Sequence, residues 1–171
     1  MDDSKKITFG GKPVTLKGTQ VKVGDKAENF KALEQDLSEF DFYKETEGKI
    51  KVISVVPSID TGVCSLQTQK FNEEATKLSD EVFIVTISVD LPFAQERFCG
   101  AEGINNIKVV SDHKNLDFGD KYGFTIEEFR LLSRGVLVID KDNNIKYVEY
   151  VDEVTNEPNY DKALEEVKNL I

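Results

Sequence analysis

Long apolar runs and clusters of basic residues are both absent from this sequence. No apolar segment approaches the roughly 20 residues that a helix needs to cross a bilayer, so we expect no membrane span. Lys and Arg total 22 against 32 Asp and Glu, and the net charge is −10. Because no lysine or arginine stripe interrupts this acidic balance, we expect no binding to nucleic acid or to anionic membranes.

Histidine and recognisable ligand motifs are scarce too. The single histidine, His113, follows Ser111 and Asp112 in an expected loop, and we interpret it as a solvated side chain rather than half of a Cys-His dyad. Asp112, Asp117 and Asp120 lack the spacing and the closing glutamate of a calcium loop. The sequence contains no glycine-rich phosphate loop and no cluster of metal ligands. We therefore expect a protein that works without a metal or cofactor.

The length fits one domain. A chain of 171 residues is long enough for one sizeable core, and no repeat or linker divides it, so we expect a single domain over residues 1–171. Its first six residues are polar and lead into a short strand pattern instead of an apolar signal segment. We expect no secretory signal and a cytoplasmic location. In that reducing compartment the two cysteines stay free or cycle, and a structural disulfide is disfavoured.

Strand and helix patterns alternate along the chain. Apolar, β-branched runs predict strands over 50–56, 82–89, 106–110, 135–140 and 145–151. Helical patterns are expected over 62–78, after Pro92, over 116–122 and after Pro158. A glycine turn between 7–9 and 13–16 predicts an N-terminal β-hairpin, and 30–33 predicts a short edge strand. This order predicts an α/β fold with a mixed central sheet between two helical layers. It is a three-layer arrangement of thioredoxin-like type with an added N-terminal β-hairpin.

Helical periodicity also predicts which side chains face the core. In the helix over 62–78 the expected face is Val63, Leu66, Phe71, Ala75 and Leu78. Before the next helix Asp90 is a candidate cap, and the helix should end near Gly100 or Gly103. Its expected stripe is Phe93, Ala94, Arg97 and Phe98. In the terminal helix the expected face is Tyr160, Ala163, Leu164, Val167 and Leu170.

Cys64 lies where an apolar strand passes through a Pro/Gly/Ser turn into a helix. Unpaired amides and the helix dipole favour negative charge there, so a thiol at such a place loses its proton more readily. The competing interpretation is a small buried hydrophobic residue. Pro57, Thr61 and Gly62 favour the first, because they would end the strand, supply a hydroxyl and let the backbone approach a small ligand closely.

The residues around Cys64 match a known pattern. Pro57, Thr61 and Cys64 fit the Pro-x-x-x-Thr-x-x-Cys motif of the peroxiredoxins. The stretch PSIDTGVCSLQTQ over 57–69 resembles the signature of their thiol peroxidase subfamily. The similarity extends to the N-terminal hairpin, to the segment 97–99 and to the segment 131–135.

The resemblance implies a role for each of five residues. Cys64 would be the peroxidatic cysteine, whose thiolate attacks a hydroperoxide. Thr61 would orient the thiolate and the peroxide, and Pro57 would shield the site from water. Arg134, at the start of a neighbouring strand, would stabilise negative charge on the sulfur and in the transition state. Cys99 would be the resolving cysteine, which forms an intrasubunit disulfide with Cys64 in an atypical two-cysteine mechanism.

The resemblance also implies substrates and partners. Hydroperoxides would be the substrates, with alkyl hydroperoxides preferred over hydrogen peroxide, and Phe93 and Phe98 would line an apolar approach. Thioredoxin would recycle the disulfide, and the protein would be a homodimer. Two alternatives stay open. One is a thioredoxin-like disulfide exchanger or peroxide-sensing redox protein, and the other is a binding domain whose cysteines only pack.

The expected disulfide makes a structural demand. Its Cα atoms must lie within about 7 Å of each other. One cysteine is expected at the start of a helix and the other near the end of another helix. We therefore expect the reduced form to hold the sulfurs apart, and disulfide formation to unwind one or both helices locally.

Overall fold

The computed structural model describes residues 6–171. Residues 1–5, which belong to the segment expected to lack a secretory signal, lie outside it. The strands are β1 (Ile7–Phe9), β2 (Lys12–Val14), β3 (Leu16–Lys17), β4 (Lys31–Leu33), β5 (Glu39–Asp41), β6 (Ile50–Val55), β7 (Val82–Ser88), β8 (Lys108–Ser111), β9 (Thr125–Ile126), β10 (Leu131–Leu132), β11 (Gly135–Ile139) and β12 (Ile145–Tyr150). The helices are α1 (Phe42–Glu45), α2 (Gly62–Ala75), α3 (Pro92–Glu102), α4 (Asp117–Tyr122) and α5 (Tyr160–Leu170).

A seven-stranded mixed sheet forms the centre of the fold, in the order β12-β11-β6-β7-β8-β4-β5. Strands β6, β7 and β8 are parallel, whereas the remaining neighbours pair antiparallel. Every residue of β6 is buried, as expected for a β-branched run covered on both faces. The register pairs Gly135 with Val55. Arg134, which precedes β11, therefore lies beside the turn that follows β6.

Side chains of the central strands alternate between two apolar clusters, one on each face of the sheet. Ile53 belongs to the cluster that contains Phe118 of α4, whereas Val52 belongs to the one that contains Phe71 of α2 and Val167 of α5. Helices therefore cover both faces, which confirms the expected three-layer arrangement. Within residues 6–171, no helix has both the length and the apolar character that a membrane span requires.

The N-terminal hairpin is confirmed. Strands β1 and β2 pair antiparallel around Gly10 and Gly11, whose φ angles of 62° and 82° explain the two glycines. The second strand of the hairpin, predicted over 13–16, ends at Val14. Leu16 leaves the hairpin and pairs in β3 with β9.

The prediction of an edge strand over 30–33 is wrong in its position. Strand β4 lies second from the edge, because β5 (Glu39–Asp41) pairs with its outer side. A three-residue strand with only Phe40 buried carries too little periodicity to be recognised in the sequence.

Two predicted helix faces are only partly right. Phe71 and Ala75 of α2, Leu78 just after it and Phe98 of α3 pack against apolar clusters as predicted. Helix α2 buries Cys64, Gln67, Thr68 and Phe71, and Leu66 is 55% exposed. Helix α3 buries Pro92, Gln95 and Cys99, and Phe93 is 62% exposed. Both helices also turn an amide side chain inward, where it makes hydrogen bonds. Apolar spacing alone does not indicate this part of each buried face. The predicted face of α5 is confirmed.

Asp90 does not cap α3. The N-cap position belongs to Leu91, which makes no side-chain capping bond, and Pro92 stands in the first turn as predicted. Gly103 ends this helix with a φ of 66°, in agreement with the sequence.

Candidate active site

Cys64 is fully buried in the first turn of α2. Strand β6 ends at Val55, and the buried Pro57 opens the turn that leads to the helix. Thr61 is the N-cap, and its hydroxyl oxygen accepts a hydrogen bond from the Cys64 amide at 3.3 Å. An added Cβ on the exposed Gly62 would meet no atom within 4 Å. The backbone at the helix start is therefore exposed at Gly62, whereas Cys64 two residues later is buried.

Arg134 provides the one charged group in hydrogen-bonding contact with the sulfur among the described residues. Its Nη2 donates to Cys64 Sγ at 3.1 Å, and its side chain is buried. The guanidinium is fixed at two further points. Nη1 donates to Gln67 Oε1 at 3.0 Å, and Nε donates to the Val154 carbonyl oxygen at 2.6 Å. Because Nε and Nη1 are held by these two acceptors, the orientation of the planar group directs the remaining nitrogen, Nη2, at the sulfur.

Gln67 connects this guanidinium to the central sheet. It is fully buried one turn after Cys64, and its Nε2 donates to Ser54 Oγ at 2.8 Å. The same nitrogen lies 3.4 Å from the carbonyl oxygens of Val55 and Gly135. The amide therefore uses its oxygen for Arg134 and its nitrogen for β6 and β11.

Asp90 holds the turn that carries Cys64. Its carboxylate accepts bonds from Ser58 Oγ at 2.7 Å, the Ile59 amide at 2.8 Å and Ser88 Oγ at 2.6 Å. Ile59 in turn packs against Cys64. Asp90 thus ties the turn before α2 to the end of β7, where α3 begins.

Cys99 lies in the last part of α3, in a different apolar cluster from Cys64. Both cysteines are free thiols, and Phe98 packs against both clusters. Gln35 Nε2 lies 3.4 Å from Cys99 Sγ. Burial raises the pKa of the Cys99 thiol, and the hydrogen bond from Gln35 opposes this only in part.

Comparison with known proteins identifies the family. The redoxin family model matches residues 22–164. The thiol peroxidase of Halalkalibacterium halodurans is 56% identical over 162 residues, which cover 95% of this chain and 96% of the relative. That of Bacillus subtilis is 53% identical over 165 residues, with coverage of 96% and 98%. The chain belongs to the redoxin family, among the thiol peroxidases. It is an enzyme, a peroxidase of the peroxiredoxin type.

A solved structure gives the same assignment. The crystal structure of a peroxiredoxin-like protein from Aquifex aeolicus superposes with a TM-score of 0.91 at 40% identity and covers 98% of each chain. The thioredoxin-like fold expected from the sequence is thereby confirmed.

The structure of this thiol peroxidase brings four of the five predicted residues into one place. Thr61 and Arg134 hydrogen-bond to Cys64 in the first turn of α2, and Pro57 is buried in the turn that leads to this helix. Cys99 lies in the neighbouring cluster. His113 lies in the loop after β8, away from this turn, and the hydrogen bond to the Cys64 sulfur comes from Arg134. Within residues 6–171, no three His, Cys, Asp or Glu side chains are grouped as a metal ion would require.

Sequence reasoning missed four residues that support this site. Gln67, Asp90 and Gln35 make the bonds described above, and Val154 contributes only a carbonyl oxygen. A polar residue one turn after Cys64 was a usable signal for Gln67, because a helix that packs on a sheet buries that position. The Val154 contact leaves no trace in the sequence, since any residue supplies a carbonyl.

Proposed function

We propose that Cys64 is the peroxidatic cysteine of a hydroperoxide reductase. The observation that carries the proposal is the 3.1 Å contact between Arg134 Nη2 and the buried Cys64 Sγ, at the start of a helix capped by Thr61. A fixed cation and a helix N-terminus both stabilise the negative charge of a thiolate. A thiolate, not a thiol, is the nucleophile in this chemistry.

The first step transfers one oxygen atom to sulfur. The Cys64 thiolate attacks the terminal oxygen of ROOH, the S–O bond forms and the O–O bond breaks. The electron pair leaves with the alkoxide, which takes up a proton and departs as the alcohol, or as water when R is hydrogen. Sulfur is oxidised to the sulfenic acid and the peroxide is reduced. Arg134 stabilises the charge that develops on the oxygens, and Thr61 orients the peroxide. Pro57 shields the sulfur from water.

The second step forms a disulfide with Cys99. The Cys99 thiolate attacks the sulfenic sulfur, the S–S bond forms, and hydroxide leaves and is protonated to water. Burial in α3 keeps Cys99 protonated, because desolvation raises the pKa of its thiol. We therefore propose that the last turns of α3 open before this step. Gly100, Ala101, Glu102 and Gly103 are exposed there, so little apolar packing opposes the opening.

Reductant, substrate preference and assembly complete the proposal. Thioredoxin, a dithiol protein, would reduce the disulfide by thiol exchange. Alkyl hydroperoxides would be preferred over hydrogen peroxide, supported by Phe98 against the Cys64 cluster. We further propose one domain over residues 1–171, a homodimer and a cytoplasmic location, all three carried over from the sequence expectations. Light scattering would measure the oligomeric state, and a peroxidase assay coupled to thioredoxin the donor.

One experiment separates this function from its alternatives. Stopped-flow oxidation by cumene hydroperoxide and by hydrogen peroxide is measured for the wild type, Cys64→Ser and Cys99→Ser, with mass spectrometry of the products. We expect no rapid reaction in Cys64→Ser and a trapped sulfenic acid in Cys99→Ser. A fast reaction that survives Cys64→Ser would overturn the assignment. A disulfide exchanger without efficient peroxidase chemistry would show slow oxidation in all three proteins.

The proposed opening has its own measurement. Crystal structures of the oxidised and the reduced protein should differ at the end of α3 or the start of α2. Unchanged helices and equal sulfur positions in both would contradict it.

A further inference from the structure

The N-terminal hairpin is docked on the segment that follows β12. The Thr8 amide donates to the Asp152 carbonyl oxygen, and the Val154 amide donates to the Thr8 carbonyl oxygen, both at 2.8 Å. These bonds extend β1 alongside residues 152–154 as a short parallel pairing centred on Thr8 and Glu153. The hairpin thereby fixes the backbone on either side of Glu153.

The Glu153 carboxylate fastens this docking. It accepts bonds from the Gly10 amide at 3.0 Å, the Gly11 amide at 2.7 Å and Thr8 Oγ1 at 2.8 Å. It also accepts from the amide and the hydroxyl of Thr155, at 2.8 and 2.6 Å. One carboxylate therefore joins the glycine turn of the hairpin to its own segment.

The next residue in the chain reaches the active site. The Val154 carbonyl oxygen accepts from Arg134 Nε at 2.6 Å, and the Val151 amide donates to the Arg134 carbonyl oxygen at 3.0 Å. Nε is the point at which the guanidinium joins its stem, so its partner sets the rotation of the planar group. The opposite end of the same group contacts Cys64.

We propose that Glu153 is a positioning residue, which acts through the hairpin and the Val154 carbonyl to aim Arg134 at Cys64. The inference rests on the proposed role of Arg134. It assigns to the N-terminal hairpin a part in catalysis, although no hairpin residue touches the sulfur in the described structure. Misplacement of a fixed cation by a fraction of an ångström lowers the charge stabilisation it supplies, because the guanidinium works through direct contact.

Glu128 offers a matched control. Its carboxylate also accepts a backbone amide of the N-terminal segment, that of Thr15 at 2.8 and 3.1 Å. Both carboxyls have a pKa below the ordinary glutamate range, mainly through a Thr155 hydroxyl bond at Glu153 and a Thr15 amide bond at Glu128. Glu128 differs in that the segment it holds pairs with β9 and not with residues 152–154.

The test is a double-mutant cycle. Oxidation of Cys64 by hydroperoxide and the pH dependence of Cys64 alkylation are measured for Glu153→Ala, Arg134→Gln and the double variant. Glu153→Ala should slow oxidation by about tenfold, as expected when a catalytic group is misplaced. It should also move the alkylation midpoint to higher pH. In the Arg134→Gln background the same change should have no further effect on either. Glu128→Ala should leave both unchanged.

Each failure has a separate meaning. If Arg134→Gln alone leaves oxidation unchanged, the proposed role of Arg134 is wrong. If Arg134→Gln slows oxidation but Glu153→Ala does not, or if the two effects add, only the positioning by Glu153 is refuted. Thr8→Val keeps the backbone bonds and removes one hydroxyl donor to Glu153, so it supplies a milder variant should Glu153→Ala not fold. An unchanged alkylation midpoint in Thr8→Val and in Glu153→Gln together would overturn the inference.

Discussion

Replacing Gln67 with glutamate places one negative charge next to the Arg134 guanidinium, which also donates a hydrogen bond to Cys64. The substitution keeps the shape of the side chain and the oxygen that accepts from Arg134 Nη1 at 3.0 Å. It removes the nitrogen that donates to Ser54 Oγ at 2.8 Å. The new carboxylate and the Cys64 thiolate would then share one cation.

The structure allows the size of the effect to be worked out. Cys64 Sγ and Gln67 Oε1 lie 3.1 and 3.0 Å from the two terminal nitrogens of Arg134. At a separation of about 5 Å and an effective dielectric constant of about 20, two unit charges repel by about 3 kcal/mol. That energy is a factor of about a hundred in an equilibrium constant. The lost bond to Ser54 and the approach of the new oxygen to the Val55 and Gly135 carbonyl oxygens both lower stability. Circular dichroism therefore checks that the variant is folded before its thiol is compared with that of the wild type.

The assay is the pH dependence of Cys64 alkylation in the Cys99→Ser background, where Cys64 is the one remaining thiol in the sequence. We expect the midpoint to rise and peroxide oxidation at neutral pH to slow by up to about a hundredfold. Gln69→Glu is the matched control, because Gln69 lies on the same helix, is half-buried and donates to Ser65 Oγ at 2.9 Å. A folded Gln67→Glu protein with an unmoved midpoint would refute the expected repulsion between a charge at position 67 and the Cys64 thiolate.

Three further outcomes follow from the structure. Asp90→Asn weakens the acceptor for the Ile59 amide, so stopped-flow oxidation should slow by about tenfold as the turn before α2 loosens. Gly135→Ala places a Cβ 2.6 Å from the Phe124 ring and closer still to the Glu149 carbonyl oxygen. Urea denaturation should show a loss of about 1–3 kcal/mol, the usual cost of overpacking. Burial raises the pKa of Asp112 from its ordinary value of 3.8 to about 7. The folded state therefore keeps a proton that the unfolded state loses, and stability should fall as pH rises from about 4 to 7. Asp112→Asn should flatten that slope.

Each of these outcomes can fail. Normal oxidation kinetics in Asp90→Asn would mean that other contacts hold the turn. A Gly135→Ala protein as stable as the wild type would mean that β12 shifts at little cost. If Asp112→Asn keeps the wild-type pH dependence of stability, other titratable groups must cause that dependence.

Much of the fold could be predicted because its signals are local. Strands β6 and β7 are rich in β-branched residues, and the turn over 142–144 between β11 and β12 contains two adjacent asparagines. The failures have a common physical cause. The buried faces of α2 and α3 contain Gln67 and Gln95, whose amides find hydrogen-bond partners inside the protein. Such polar burial cannot be inferred from apolar spacing, which assumes that polar groups seek water.

The candidate site also combines residues that a local sequence pattern indicates with one residue that it does not. The motif residues Pro57, Thr61 and Cys64 lie within eight positions of one another, so their spacing in the sequence already places them in one turn and one helix start. Arg134 could be named only through the family resemblance.

The sequence by itself determined the α/β class, the cysteine at a helix start and the membership of the thiol peroxidases, because each depends on short-range patterns or on residue identity. Only the tertiary structure decided how Arg134 is aimed. Its three partners are Cys64 and Gln67 of α2 and the Val154 carbonyl, which lies beside the N-terminal hairpin. These contacts depend on strand register and on docking between residues far apart in the chain, and a carbonyl partner is independent of side-chain identity.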